Sequence, residues 1–531
     1  MSVFKNLLLK QLQQKSRIYL HEMEEDEAEE KKQYNRRQFL ETSAKSGIAV
    51  GLLSSSSIFS SCRNQSTLND NTIKSTVSVL KPKVAIVGAG IAGLNAAHYL
   101  KKSNIVTYEV YDMLTRVGGR MHTIQDFLPG LSLDIGGEFI DTDHEEMLAL
   151  CKEFKVELLN RKTDTFYEGE GREWYVINDK RYTMKQVFDA FKNYLPIIKK
   201  DLDSCGENYN SLDFVRLDKM NLDEYVTSIG VSGWLKELLR CAYLSEFGLD
   251  LEDNSAMNFI DMLRVNNKNE VEFYGESDEI YSIKGGVVSL INKLSAYAEN
   301  INLAHQLVEI RTKGEGYSLF FANGKTTYAD YIILTIPFTI LREVKINVDN
   351  IAPQKIKAIK ELGYGQNAKL FLGFDERVWR TRHKTIGYLF NDKIHNGWDS
   401  TFGQTDNSGP GIYTVFIGGK DAVTMAENKN DVDRFVHKYL PVLDKIYPGM
   451  KNKFNDNADI AWWPKSKIIK GSYSAFLPGQ WNDVMPYISE PIGNILFAGE
   501  HCSSDFQGFM NGGAQTGKEV AMALLKKIKT A

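Results

Sequence analysis

The chain has 531 residues, 43% of them hydrophobic, which is room for two or more domains around a large core. Its net charge of −4 argues against nucleic acid as a main partner. The five cysteines, at positions 62, 151, 205, 241 and 502, form no CxxC pair and no Cys/His cluster, so neither a metal site nor a disulfide framework is expected.

In chain order, residues 1–35 are charged and include an acidic run from Glu24 to Glu30. Asn35-Arg36-Arg37-Gln38-Phe39-Leu40 is close to a twin-arginine export signal. The weakly apolar stretch Ser46 to Phe59 is too short and too serine-rich to span a membrane. It ends in Phe59-Ser60-Ser61-Cys62, which resembles a bacterial lipoprotein processing box. Residues 1–62 therefore read as an export signal, and a lipidated Cys62 would anchor the protein to a membrane. An ordinary cleaved signal is the alternative. The expected location is periplasmic or membrane-anchored. Residues 63–80 are polar and rich in serine and threonine, a linker.

Val84 to Val87 is a short apolar run cut off by glycine, the pattern of a strand buried on both faces of a parallel sheet. Gly88, Gly90 and Gly93 then fit G-x-G-x-x-G. Gly88 serves the tight turn, Gly90 lets the backbone approach a pyrophosphate, and Gly93 lets the next helix pack on the strand. Ile91, Leu94, Ala97 and Leu100 give that helix an apolar side. Its N-terminus offers free N–H groups and partial positive charge to phosphates. Val106, Tyr108 and Val110 alternate as a second strand, closed by Asp112. Asp112 follows Gly93 by about twenty positions, where a ribose-binding carboxylate is expected. A strand, a glycine loop, a helix and an acid at that distance together specify a dinucleotide site.

Arg116, Gly118, Gly119 and Arg120 spell R-x-G-G-R just beyond. The glycines let a loop lie against a cofactor, and the arginines can neutralise phosphate. Here the chain resembles the flavin-containing amine oxidase family, which includes monoamine, polyamine and L-amino acid oxidases and tryptophan 2-monooxygenases. The resemblance covers roughly Lys83 to Ile528. It implies FAD as cofactor, bound by Gly88 to Gly93 (with Ala89, Ile91 and Ala92 between), Asp112, Met113, Arg116, Gly118, Gly119 and Arg120.

Further matches follow in the family's order. Gly136-Gly137-Glu138-Phe139 corresponds to a segment that passes near the isoalloxazine. L-amino acid oxidases usually carry Gly-Pro-Met-Arg there, and the arginine binds the substrate carboxylate. Its absence lowers the case for an amino acid held in that way. Gly285-Gly286 precedes an apolar helix, and Val308 aligns with a valine whose backbone contacts adenine. Lys369, heading the strand Ala368 to Phe374 and followed by Trp379, matches a lysine that holds a water near flavin N5. Tyr473 matches one wall of an aromatic cage for the amine, and Phe509 stands where monoamine oxidases have the second cage tyrosine. Ser472 stands where monoamine oxidases have the cysteine that bonds the flavin, so the FAD is expected to be non-covalent. Glu500 matches a carboxylate at the ribityl or phosphate region. Gln507 to Ala514, including Met510, matches the turn before the last helix, whose N-terminus would face flavin N1 and the C2 carbonyl.

The expected fold is an α/β (α+β two-domain) architecture, a Rossmann-like FAD-binding domain with a discontinuous substrate domain of mixed sheet plus helices. The FAD domain is assigned 81–144, 276–337 and 466–531. The substrate domain is assigned 145–275, mainly helical, and 338–465. The expected reaction is oxidation of a small-molecule amine, by hydride transfer to flavin, with oxygen as acceptor and hydrogen peroxide as product. Lys369, Tyr473 and Phe509 are the candidate catalytic residues. The alternatives are an L-amino acid oxidase or tryptophan 2-monooxygenase-like enzyme, and, from another class, a non-catalytic FAD-binding surface lipoprotein.

Overall fold

The computed structural model describes residues 81–206, 209–266, 268–275 and 277–530. The segments expected to be an export signal and a linker, with Cys62, lie outside the described residues.

The first apolar run is the strand Lys83–Val87, the centre of a five-stranded parallel sheet. The sheet runs, in spatial order, Ile301–Asn302, Thr107–Tyr111, Lys83–Val87, Tyr331–Leu334 and Ile495–Phe497. Strands from widely separated parts of the chain thus meet side by side. Val84, Ala85 and Ile86 have no exposed surface, as a central strand covered on both faces requires.

One face is covered by the helices Ile91–Ser103, Val288–Ala298 and Met510–Thr530, whose apolar side chains share one core with the strands. The last helix lies directly on the first because it presents glycine there. A Cβ at Gly517 would stand 2.2 Å from the Ala92 carbonyl oxygen. Buried Asn95 fixes the pair by donating to the Ala514 carbonyl at 2.8 Å.

The second layer is a seven-stranded mixed sheet. Its order is Phe454–Ala461, Asn367–Phe374, Gly411–Gly418, His395–Asp399, Tyr388–Asn391, Glu173–Ile177 and Lys180–Tyr182. The segment 145–275 is therefore not helical alone, since it supplies the last two of these strands. Its helices Met184–Phe191, Leu195–Ser204, Leu212–Lys219, Leu222–Ser228, Gly233–Phe247 and Ala256–Met262 pack beside the sheet. The helix-rich run Met184 to Lys200 is broken in two. Pro196 sits in the first turn of Leu195–Ser204, where its missing N–H costs nothing, whereas inside a continuous helix it would remove a hydrogen bond and clash with the preceding turn.

Candidate active site

A cavity of about 390 Å³ opens where the carboxyl ends of the parallel strands face the mixed sheet. Val87, Tyr111, Thr335 and Gly499 mark the strand ends, and Lys369, Trp398 and Phe416 come from the mixed sheet. Ligands of open α/β sheets bind outside the carboxyl ends of the strands, and this cavity occupies that place.

The glycine loop divides its tasks as the spacing predicts. Gly88 has φ +114°, and a Cβ there would lie 2.3 Å from Thr335 Oγ1. A Cβ at Gly93 would lie 1.9 Å from the Gly88 carbonyl oxygen, so helix and loop are in direct contact. Gly90 differs. A Cβ there meets nothing nearer than the Gly118 oxygen at 4.0 Å and would project into the cavity. Asp112 accepts from the amides of Ala89 at 2.7 Å and Leu114 at 2.8 Å. The acid thus ties the glycine loop to the end of the second strand, and its remaining lone pairs face the cavity. Burial raises its pKa, against these amides and the Arg116 charge.

Arg116 and Arg120 take different roles. Arg116 donates to the carbonyls of Val117 at 3.1 Å and Gly119 at 3.0 Å, bracing the loop from behind. Arg120 lines the cavity and donates to Glu500 Oε1 at 2.9 Å and the Ser472 carbonyl at 3.1 Å. Glu500 also accepts from Ser474 Oγ at 2.7 Å and the Gly508 amide at 3.0 Å. Burial works against its ionisation, but Arg120 and these donors outweigh burial and hold the carboxyl below its ordinary range. One carboxylate thereby joins three separate segments. Met510 opens the last helix and packs on Gly137, where a Cβ would come within 2.7 Å of its Cγ. That helix brings its positive end to the cavity, which Met510 and Gly513 line.

Opposite lie the candidate catalytic residues. Lys369 is 5% exposed and donates to the Gly136 carbonyl at 2.8 Å and Glu138 Oε2 at 3.3 Å. Tyr473 donates its hydroxyl to the Glu246 carbonyl, which turns its ring along the wall. Gly508 packs on that ring, a Cβ there being 3.4 Å from Tyr473 Cδ2. The next residue, Phe509, meets the His144 ring at 5.3 Å. Burial drives the His144 pKa down to about 3, so this imidazole is neutral.

Three carboxyls face the same space. Glu246 comes from the end of Gly233–Phe247, Glu279 from the loop before Tyr281–Ile283, and Asp141 from just after Phe139–Ile140. The Glu279 amide donates to Asp141 at 2.8 Å. Burial, with the charges of Glu279 and Asp141, pushes the Glu246 carboxyl up to about 8. Burial likewise pushes Asp141 up to about 8 and Glu279 to about 7, the latter against the opposing charge of Arg161. Arg161 stacks behind Phe139 at 4.6 Å and does not line this cavity.

Most sequence-derived site residues meet at this cavity: Gly88, Gly90, Ile91, Ala92, Asp112, Met113, Gly118, Gly119, Arg120, Gly136 to Phe139, Lys369, Tyr473, Glu500, Phe509 and Met510. Ala89, Gly93 and Arg116 stand one layer back, shaping the loop. The Val308 side chain turns outward, 36% exposed, which does not bear on the backbone contact that the resemblance implies. The strand has a bulge between Leu307 and Glu309, and His305, Gln306 and Leu307 line the cavity wall beside it. Sequence reading missed Trp398, Glu246, Glu279 and Asp141. Nothing local to these residues sets them apart, and only the tertiary fold brings them together.

A family model described as flavin containing amine oxidoreductase matches residues 91–525. The chain belongs to that family. Among the curated relatives of this amine oxidoreductase are an L-amino acid dehydrogenase of Synechocystis and a flavin-containing amine oxidase of Danio rerio. The first is 25% identical, over 83% of this chain and 94% of that protein, and the second 24% identical, over 83% and 85%. Among solved structures, cyclohexylamine oxidase from Brevibacterium oxydans superposes with a TM-score of 0.72 at 18% identity, covering 85% of this chain and all of that one. Putrescine oxidase bound to putrescine gives 0.71 at 16%, over 84% and 99%. A flavin fits the residues present. The open space above Gly90, the glycine-rich walls and the positive helix ends suit an elongated phosphate-bearing group.

Proposed function

We propose that the enzyme is an FAD-dependent oxidase of amines rather than amino acids, with its FAD held non-covalently. The observation that carries the amine reading is the charge of the substrate side. Asp141, Glu246 and Glu279 line it, and Phe139 occupies the place where amino acid oxidases put their carboxylate-binding arginine. In their ionised form these carboxyls attract an ammonium and repel a carboxylate, and in their neutral form they still offer the ammonium hydrogen-bond acceptors.

A flavin held by these residues would supply the two-electron acceptor for a hydride from the amine α-carbon, with oxygen as final acceptor, so that the products would be an imine, which hydrolyses, and hydrogen peroxide. The chain does the rest. The carboxyls draw in the ammonium form. Tyr473 and Phe509 exclude water, which favours the neutral amine able to give up a hydride. A cavity carboxyl in its ionised form takes the proton that the ammonium releases. Arg120 and the N-terminal end of Met510–Thr530 offset negative charge. Lys369 stabilises the charge that develops as oxygen is reduced. Ser472 has no thiol to bond the flavin, so acid precipitation is expected to leave the yellow colour in solution.

The test is peroxide production from a panel of primary amines, diamines and L-amino acids. Turnover of amines supports the reading, and turnover of amino acids alone overturns it in favour of an L-amino acid oxidase, the activity named for several relatives. The pair Arg36-Arg37 and Cys62 support export by the twin-arginine route and lipid anchoring. Replacing both arginines by lysine should then retain the precursor in the cytoplasm, and Cys62→Ala should release the protein from membranes.

A further inference from the structure

Lys369 does not stand in the cavity as a free cation. It projects from the strand Asn367–Phe374, and its ammonium meets the Glu138 carboxylate at 3.3 Å, both side chains only 7% exposed. The same carboxylate oxygen accepts from Trp398 Nε1 at 3.1 Å. The Trp398 ring also lies below the ammonium, 5.1 Å from centroid to Nζ. One indole therefore touches both halves of the ion pair, one through its N–H and the other through its face. The indole is itself fixed, edge-on to Phe139 at 5.6 Å and to Phe416 at 5.4 Å. Trp398 comes from the strand His395–Asp399, with Gly411–Gly418 between it and the lysine strand. Three elements converge on one charge.

We propose that Glu138 and Trp398 are positioning residues for Lys369: the indole N–H fixes the carboxylate, and the carboxylate fixes the ammonium and cancels most of its charge. The inference rests on the flavin reading above and deepens it. A buried pair of opposite charges presents a dipole where a lone ammonium would present a full positive charge. The cation then acts in a set direction and at reduced strength on any negative charge nearby. Removing Glu138 unmasks it.

The test uses the flavin-loaded protein and sulfite, an anion that adds reversibly to oxidised flavins and bleaches them. Glu138→Gln is expected to tighten sulfite binding at least tenfold, within the span of measured couplings between contacting charges. Trp398→Phe keeps an aromatic ring but loses the N–H, and is expected to shift binding the same way by about threefold. In a Lys369→Met background both effects should fall below twofold. There the carboxyl has no ammonium left to fix or to screen. Equal effects of Glu138→Gln with and without Lys369 would overturn the proposal, as would no effect in either. Should Glu138→Gln fail to retain flavin, the Trp398→Phe pair decides alone. A wild-type protein that takes up no flavin would instead defeat the underlying functional reading.

Discussion

Glu246 faces the cavity without an ion-pair partner among the described residues, and burial together with the charges of Glu279 and Asp141 pushes its carboxyl up to about 8. The sign follows directly. Below that value the carboxyl is neutral and attracts an ammonium weakly, and above it the attraction is full. KM for a primary amine, corrected for the amine's own ionisation, should fall as pH rises from about 6 to about 9. Glu246→Gln should flatten this dependence and raise KM about tenfold at high pH, with kcat changed far less. An unchanged pH profile in the variant would remove Glu246 from substrate binding. At this scale the sequence was partly legible. Lys369, Tyr473 and Glu500 lie in recognisable local strings. Glu246 is one acid in a helix of ordinary composition, and only the fold brings it to the cavity that Asp141 and Glu279 also line.

At the scale of the element, the turn from Lys83–Val87 into Ile91–Ser103 shows how one motif serves two ends. Gly93 is a packing residue and Gly90 a binding residue. Gly93→Ala would drive a Cβ to within 1.9 Å of a backbone oxygen that cannot move without displacing the strand. That overpacking should cost about 3 kcal/mol or more, read as a lower unfolding midpoint or loss of folded protein. Gly90→Ala has open space, so its midpoint without flavin should stay within about 1 kcal/mol of wild type while flavin affinity drops. Similar losses of folding in both variants would contradict this division. The motif was readable because its parts are contiguous and each spacing has a steric meaning. The wall formed by His305, Gln306 and Leu307 was not readable, because the bulge between Leu307 and Glu309 changes which residues of the strand face the cavity and leaves no mark in the sequence.

At the scale of the whole molecule, two sheets assembled from interleaved segments enclose one cavity rich in raised carboxyls. Of those lining it, Glu279 stands near 7 and Asp141 and Glu246 near 8, and Asp134, buried outside the cavity, stands near 7, all from burial first. A raised carboxyl binds its proton more tightly folded than unfolded, so its contribution is present below about pH 4 and lost as pH climbs through the folded value. Buried His144, His395 and His501 act oppositely, lowered to about 3, 4 and 4 by burial. Their cost disappears above about pH 6.5. The flavin-free protein should therefore lose thermal stability between about pH 6.5 and 8, with the slope softened by water in the cavity. Scanning calorimetry across that window checks it, and a rising midpoint would contradict it. The two-domain architecture was legible in the sequence because the run Val84 to Val87 stops at Gly88 and the motifs after it follow one another in the family's order. The strands Glu173–Ile177 and Lys180–Tyr182 were not, since they are short and embedded among helices.

The most direct test of amine oxidation at this cavity is anaerobic mixing of the flavin-loaded protein with amines and with L-amino acids, following flavin absorbance. Bleaching by primary amines or diamines, and not by amino acids, is the predicted result. Bleaching by amino acids alone, or by no donor at all, would contradict the assignment of Asp141, Glu246 and Glu279 to an amine.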